Sequence, residues 1–238
     1  MVSVNDTPAD PRDESAASAG PGLRLRIDGT QPISMETVKA VQALCDQAED
    51  HAAPGIVTIY VSGAPRGAWA RDINTALVTK WERALRRLER LAMTTVAAAS
   101  GDCGGSALDT LLVTDFRVGT TDLRLSVPVH EDATWPGMTI YRLTQQAGLA
   151  RIRRAVLFGI HITGGEALAL RLIDELVDDL EVSLAAIAER SGVYSGKELA
   201  IRRQLMFDAT TTSFEDALGS HLAACDRALR RSAVGIAP

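Results

Sequence analysis

The sequence predicts an α/β protein with a largely parallel sheet, because short strand-like runs alternate with stretches of helical periodicity. Three segments carry this expectation. Leu23-Arg24-Leu25-Arg26-Ile27 alternates with period two and reads as a half-buried strand. Met35, Val38, Val41 and Leu44 then recur at helical spacing, behind Ser34 as N-cap and with Glu36 in the first turn. Ile56-Val57-Thr58-Ile59-Tyr60-Val61 is a nearly continuous β-branched run, as expected of a strand covered on both faces.

The remaining elements follow in order. Asp28-Gly29 offers a turn after the first strand, and Pro54-Gly55 ends the connection into the second. A loop rich in Gly, Pro and Arg spans Ser62 to Asp72, followed by a long helix through Trp81, Leu85, Leu88 and Leu91. The apolar strand Thr95 to Ala99 empties into Ser100-Gly101-Asp102-Cys103-Gly104-Gly105-Ser106 and then a helix carrying Asp109. Phe116 to Gly119 and Leu123 to Val127 read as short strands, and Met138 to Gln146, Ile152 to Leu157 and Glu166 to Arg171 as helices with apolar stripes. Strand signals vanish from Leu184 onward. Leu199 to Met206 and Ser213 to Leu229 are predicted helices, the second opening on Ser213 with Asp216 three residues on. The chain thus divides into a disordered tail over 1–21, an α/β core over 22–183 and a helical region over 184–238 that packs on a partner.

Composition excludes several function classes. With 46% hydrophobic and 23% charged residues, a net charge of −5 and basic residues interspersed with acids, neither nucleic acid nor an anionic membrane is an expected partner. No apolar run approaches the roughly 18 residues that span a bilayer, and residues 1–21 lack the apolar core of a signal peptide. Cys45, Cys103 and Cys225 are widely spaced without metal-ligand partners, so no disulfide framework or metal site is indicated and a cytoplasmic location fits.

The chemistry points to the glycine pair between strand and helix. Such a junction can bring backbone N–H groups up to a ligand oxygen that becomes negative during reaction; a tight turn with no ligand is the competing reading. Trp69, Trp81 and Trp135 have the spacing of core residues and could also line an aromatic pocket, whereas His161, between Ile160 and Ile162, reads as a strand or core histidine.

Several ordered segments resemble the crotonase, or enoyl-CoA hydratase/isomerase, superfamily. They are Ser100-Gly101, Gly104-Gly105, Thr114-Asp115, Leu125-Ser126-Val127-Pro128, Trp135-Pro136-Gly137, Thr163-Gly164-Gly165-Glu166-Ala167, Leu172 to Val177 and Ser213 to Leu218. The resemblance implies a spiral of ββα units with a C-terminal helical region, a homotrimer or hexamer, an acyl-CoA substrate, and no metal or redox cofactor. Val61 to Pro65, Trp69-Ala70-Arg71-Asp72, Lys80 to Leu91 and Leu218 to Asp226 further resemble the hydratase-like proteins of dihydroxyphenylglycine formation in glycopeptide antibiotic biosynthesis. These are implied to assist a type III polyketide synthase in forming 3,5-dihydroxyphenylacetyl-CoA by dehydration or enolisation.

Family chemistry needs two N–H donors on the thioester oxygen, each worth about 3–4 kcal/mol in oxyanion holes. The resemblance places one at Ser106, after Gly105, and the other at Ala70 or Arg71. Two glutamates perform the acid–base work in the hydratases. The first position falls here on Asp109, one C–C bond shorter, and the second on Val129, which moves no proton. His130, Glu131 and Asp132 follow at once; Glu131 is the expected replacement, with a solvated turn as the competing reading. Trp135, Pro136 and Gly137 are expected to contact substrate, and Arg66 and Arg71 to meet the phosphates of coenzyme A.

Overall fold

The computed structural model describes residues 23–51, 55–191 and 196–234; the predicted 1–21 tail and Pro54 lie outside the described residues. Strands and helices alternate as β1 (Leu23–Asp28), α1 (Met35–Asp50), β2 (Ile56–Gly63), α2 (Thr75–Glu89), β3 (Thr94–Gly104), α3 (Ser106–Leu111) and β4 (Phe116–Thr120). Shorter pieces follow: β5 (Arg124–Ser126), a hairpin of β6 (Val129–His130) and β7 (Ala133–Thr134), then α4 (Met138–Ala147) and α5 (Leu149–Phe158). The chain continues through β8 (Ile162–Thr163), α6 (Gly164–Ala169), β9 (Glu175–Val177), α7 (Leu180–Ser191), α8 (Lys197–Asp208) and α9 (Phe214–Val234).

The main sheet has the order β1-β2-β3-β4-β9 with every neighbouring pair parallel. β3 extends past its predicted end at Ala99. Its first half pairs with β4 through Val96 to Ala99, and its last residues pair with β5 through Asp102 to Gly104. Between these halves Gly101 adopts φ +58°, and the register against β2 shifts so that Gly63 faces Cys103. A glycine at this bulge lets one strand serve two neighbours. β5 also pairs antiparallel with β8.

Alternation along β3 separates two cores. Ala97 and Ala99 join Val57, Ile59 and Val61 beneath α1 and α2, where Val41, Leu44, Trp81, Leu85 and Leu88 are buried. Val96 and Ala98 face the other way and pack with Val118, Leu184 and Ile187. Both faces of the sheet are therefore covered, as the β-branched composition of β2 requires. The division at 183/184 falls inside α7, which docks on the second face.

Local signals set several boundaries. Ser34 Oγ accepts the Thr37 N–H at 3.1 Å, and Ser213 Oγ accepts the Asp216 N–H at 3.2 Å, so both predicted N-caps are present. α8 is fastened by Arg203, whose guanidinium holds Asp115 with two contacts of 2.6 Å and also donates to the carbonyls of Leu91 and Met93. α9 carries Phe214, Leu218, Leu222 and Leu229 exposed. No described helix is long and apolar enough to cross a membrane.

Candidate active site

A cleft opens where the β2–α2 loop, the β3–α3 junction and the segment leading into α4 meet. Its walls include Pro65, Trp69, Trp81, Glu82, Gly105, Ser106, Asp109, Trp135, Gly137 and Thr139. The junction is shaped by Gly105, which has φ +54° and would drive a Cβ to 3.1 Å from the Pro65 ring. Only glycine suits both demands. α3 begins at the next residue, and the Asp109 N–H bonds the Gly105 carbonyl at 2.9 Å, closing its first turn. The Ser106 N–H, at the start of that helix, has no intrahelical acceptor, and the cleft lies against it.

The second loop divides the two predicted donors. Arg71 is exposed and commits its N–H to the Ala68 carbonyl at 3.3 Å. Ala70 is buried, and its N–H has no hydrogen-bond partner among the described residues. Of the pair, only Ala70 keeps an uncommitted N–H; neither residue lines the cleft, which this loop reaches through Trp69.

Asp109 sits between two helices. Its Oδ2 accepts the Trp81 indole N–H of α2 at 3.0 Å, and Oδ1 accepts the Thr139 hydroxyl of α4. Burial pushes its carboxyl above the ordinary aspartate range, against the opposing pull of the Thr139 and Trp81 hydrogen bonds and the Arg142 charge. A carboxyl in a cleft whose proton is held more tightly is a candidate for acid–base work.

Glu82, to which the sequence assigned no role, lines the same cleft. Its Oε2 accepts from Arg142 Nη2 at 2.5 Å. Burial raises its carboxyl first of all; the Arg142 hydrogen bond and charge oppose the rise, and the Asp109 charge adds to it. The sequence signal was present in the helical stripe: one residue beyond Trp81, an acid lies on the edge of the buried face of α2. Periodicity alone marks such a residue as solvated, because it cannot show that α4 brings Arg142 against it.

Two indoles of the cleft wall pack with one histidine ring that does not line it. Trp69 and Trp135 meet edge to face at 5.2 Å, and His130 stands 6.1 Å from Trp69 and 6.0 Å from Trp135. The Trp69 indole N–H donates to the Val129 carbonyl at 2.8 Å, tying the loop to the β6–β7 hairpin. Trp69, Trp81 and Trp135 all line the cleft, which joins the two roles their spacing left open for Trp81.

The structure does not bring Glu131 to Asp109. Glu131 lies exposed in the two-residue turn between β6 and β7 with φ +57°, and it is absent from the cleft wall. The solvated-turn reading describes this segment, and Val129 is itself 48% exposed. Trp135 and Gly137 line the cleft whereas Pro136 between them does not. Arg66 follows the lining residue Pro65, is exposed, and pairs with Asp102 at 3.3 Å. His161 is exposed, because β8 begins only at Ile162; the core reading of this histidine is corrected.

No family model matches the chain. Over 211 residues, however, it is 53% identical to an enoyl-CoA hydratase of Amycolatopsis orientalis, an alignment that covers 89% of this chain and 97% of that protein. The chain belongs to the enoyl-CoA hydratase/isomerase superfamily, the crotonases. Solved crotonase structures agree in fold at low identity. An enoyl-CoA hydratase/isomerase from Marinobacter aquaeolei matches with TM-score 0.74 and 14% identity over 89% of this chain and 90% of its own. An enoyl-CoA hydratase from Bacillus anthracis matches with TM-score 0.71 and 18% identity over 88% of each chain. Within this crotonase, the glycine junction, the Ala70 loop and Asp109 meet in one cleft.

Proposed function

We propose that this crotonase acts on the coenzyme A thioester of a cyclic polyketide intermediate, assisting a type III polyketide synthase in dehydration and aromatisation to 3,5-dihydroxyphenylacetyl-CoA. The observation that carries the reading is the position of Asp109, whose half-buried carboxyl shares a cleft with the Ser106 junction and three indole rings. Indole walls suit a flat, increasingly conjugated acyl ring better than a flexible aliphatic tail. The thioester oxygen is held by the N–H groups of Ser106 and Ala70 as it takes on enolate charge, and Asp109 moves a proton to expel water or shift a double bond. Arg66, exposed beside Pro65, is the cation for the phosphates of coenzyme A. A trimer or dimer of trimers in the cytoplasm completes the reading, supported by the exposed apolar residues of α9.

A second reading rests on Val129, which places no carboxyl at the second glutamate position and leaves a crotonase that binds the intermediate or the synthase without doing acid–base work. Formation of 3,5-dihydroxyphenylacetyl-CoA from malonyl-CoA by the synthase decides between them. Wild-type protein is expected to stimulate the yield, and Asp109→Asn to lose about 10²-fold or more of that rate, the usual scale of an acid–base group. Equal stimulation by both would leave only the accessory binding role.

A further inference from the structure

The cleft contains a second carboxyl from an unexpected element. Glu82 comes from α2, Asp109 from α3, and Arg142 from α4, and the three form one charged cluster: Arg142 pairs with Glu82 at 2.5 Å, and its charge also acts on Asp109. Both carboxyls line the cleft. The Arg142 side chain is only 10% exposed, and its second terminal nitrogen, Nη1, is buried without a partner among the described residues. A buried guanidinium with an unspent donor is costly unless a nearby charge compensates it. A purely structural pair could be placed anywhere on the α2–α4 contact; this one opens onto the wall where the substrate is expected.

We infer that Glu82 is the second acid–base carboxyl of this site, supplying from α2 what Val129 cannot supply from the β5–α4 segment. The inference rests on the acyl-thioester reading above. Arg142 donates directly to Glu82, whereas Asp109 accepts from the neutral Trp81 indole and the Thr139 hydroxyl, so the base role falls to Glu82 and the acid role to Asp109. In the dehydration, the Glu82 carboxylate removes a proton from the carbon next to the thioester carbonyl. The C–H electron pair enters the enolate, whose negative oxygen rests on the backbone N–H groups. The enolate then reforms the carbonyl and makes the new carbon–carbon double bond as the neighbouring C–O bond breaks. Asp109 gives its proton to that departing hydroxyl, and water leaves. Glu82 is now protonated and Asp109 ionised, and one proton passed back through solvent restores the pair.

The proton-removal half can be read without the synthase. Phenylacetyl-CoA offers an acidic methylene beside the thioester, and its exchange for deuterium in heavy water reports base catalysis directly, by mass spectrometry. Wild-type protein is expected to bind this probe and speed its exchange. Glu82→Gln should retain the dissociation constant within about threefold while exchange falls about 10²-fold. Because Glu82→Gln strips Arg142 of its partner, the double variant Glu82→Gln, Arg142→Met is measured beside it, and the same loss is expected. Exchange at the wild-type rate in either folded variant would overturn the role of Glu82 and leave the acyl-thioester reading intact. Failure of wild-type protein to bind any acyl-CoA would overturn that reading and this inference together.

Discussion

Asp109 shows what a half-buried carboxyl costs and what it provides. Its folded-state carboxyl is raised by burial, so the folded protein holds that proton more tightly than the unfolded chain does. Stability then falls as pH rises from the unfolded aspartate value, about 3.9, through the raised folded value, and levels off once Asp109 has ionised in the fold. Each unit of elevation corresponds to about 1.4 kcal/mol. Asp109→Asn removes this dependence. In urea unfolding between pH 4 and 8, the variant is expected to gain on wild type as pH rises, while losing activity; a variant that loses ground to wild type as pH rises would contradict the burial argument. The resemblance led to Asp109, as the first glutamate position of the hydratases, and its carboxyl lines the cleft. Glu131, the expected replacement carboxyl, lies exposed outside the cleft wall; β6 and β7 have two residues each and give no alternation to reveal their hairpin. Glu82 was illegible for a different reason: its meaning depends on Arg142, 60 residues away.

At the scale of elements, the strands and helices with strong periods were legible, and those held by distant partners were not. β1, α1 and β2 lie where alternation and helical spacing put them. β3 outran its prediction since Ser100 to Gly104 has little strand propensity, and its pairing with β5 is what keeps those residues extended. β9 is parallel to β4 over only three residues, too short a run to carry a period. α8 gives the sharpest test of element docking, because Arg203 joins it to Asp115 and to two carbonyls of the α2–β3 connection. Arg203→Leu leaves the carboxylate and both carbonyls without their charged donor. A loss of about 3–5 kcal/mol is expected from breaking a buried pair of this kind, measured by urea unfolding, with faster proteolysis around 209–213 as α8 and α9 detach. A loss below about 1 kcal/mol would mean that the pair behaves as a surface bridge.

The whole molecule is a sheet covered on both faces whose strand ends and following loops converge on one cleft. That convergence explains why the fold could be read from separated segments while the chemistry could not. Ser100-Gly101, Gly104-Gly105 and Leu125 to Pro128 record backbone demands, and backbone demands are written locally. The acid–base groups depend on which helices meet across the cleft, so α2, α3 and α4 must be assembled before Glu82, Asp109 and Thr139 share an environment. The proposed chemistry requires this cleft to hold a thioester oxygen on the N–H groups of Ser106 and Ala70. A crystal structure with phenylacetyl-CoA bound tests it most directly. The thioester oxygen is expected within about 2.7–3.1 Å of both nitrogens, with the phenyl ring against Trp69 and Trp135; a thioester oxygen lying away from the Ser106 N–H would contradict this chemistry.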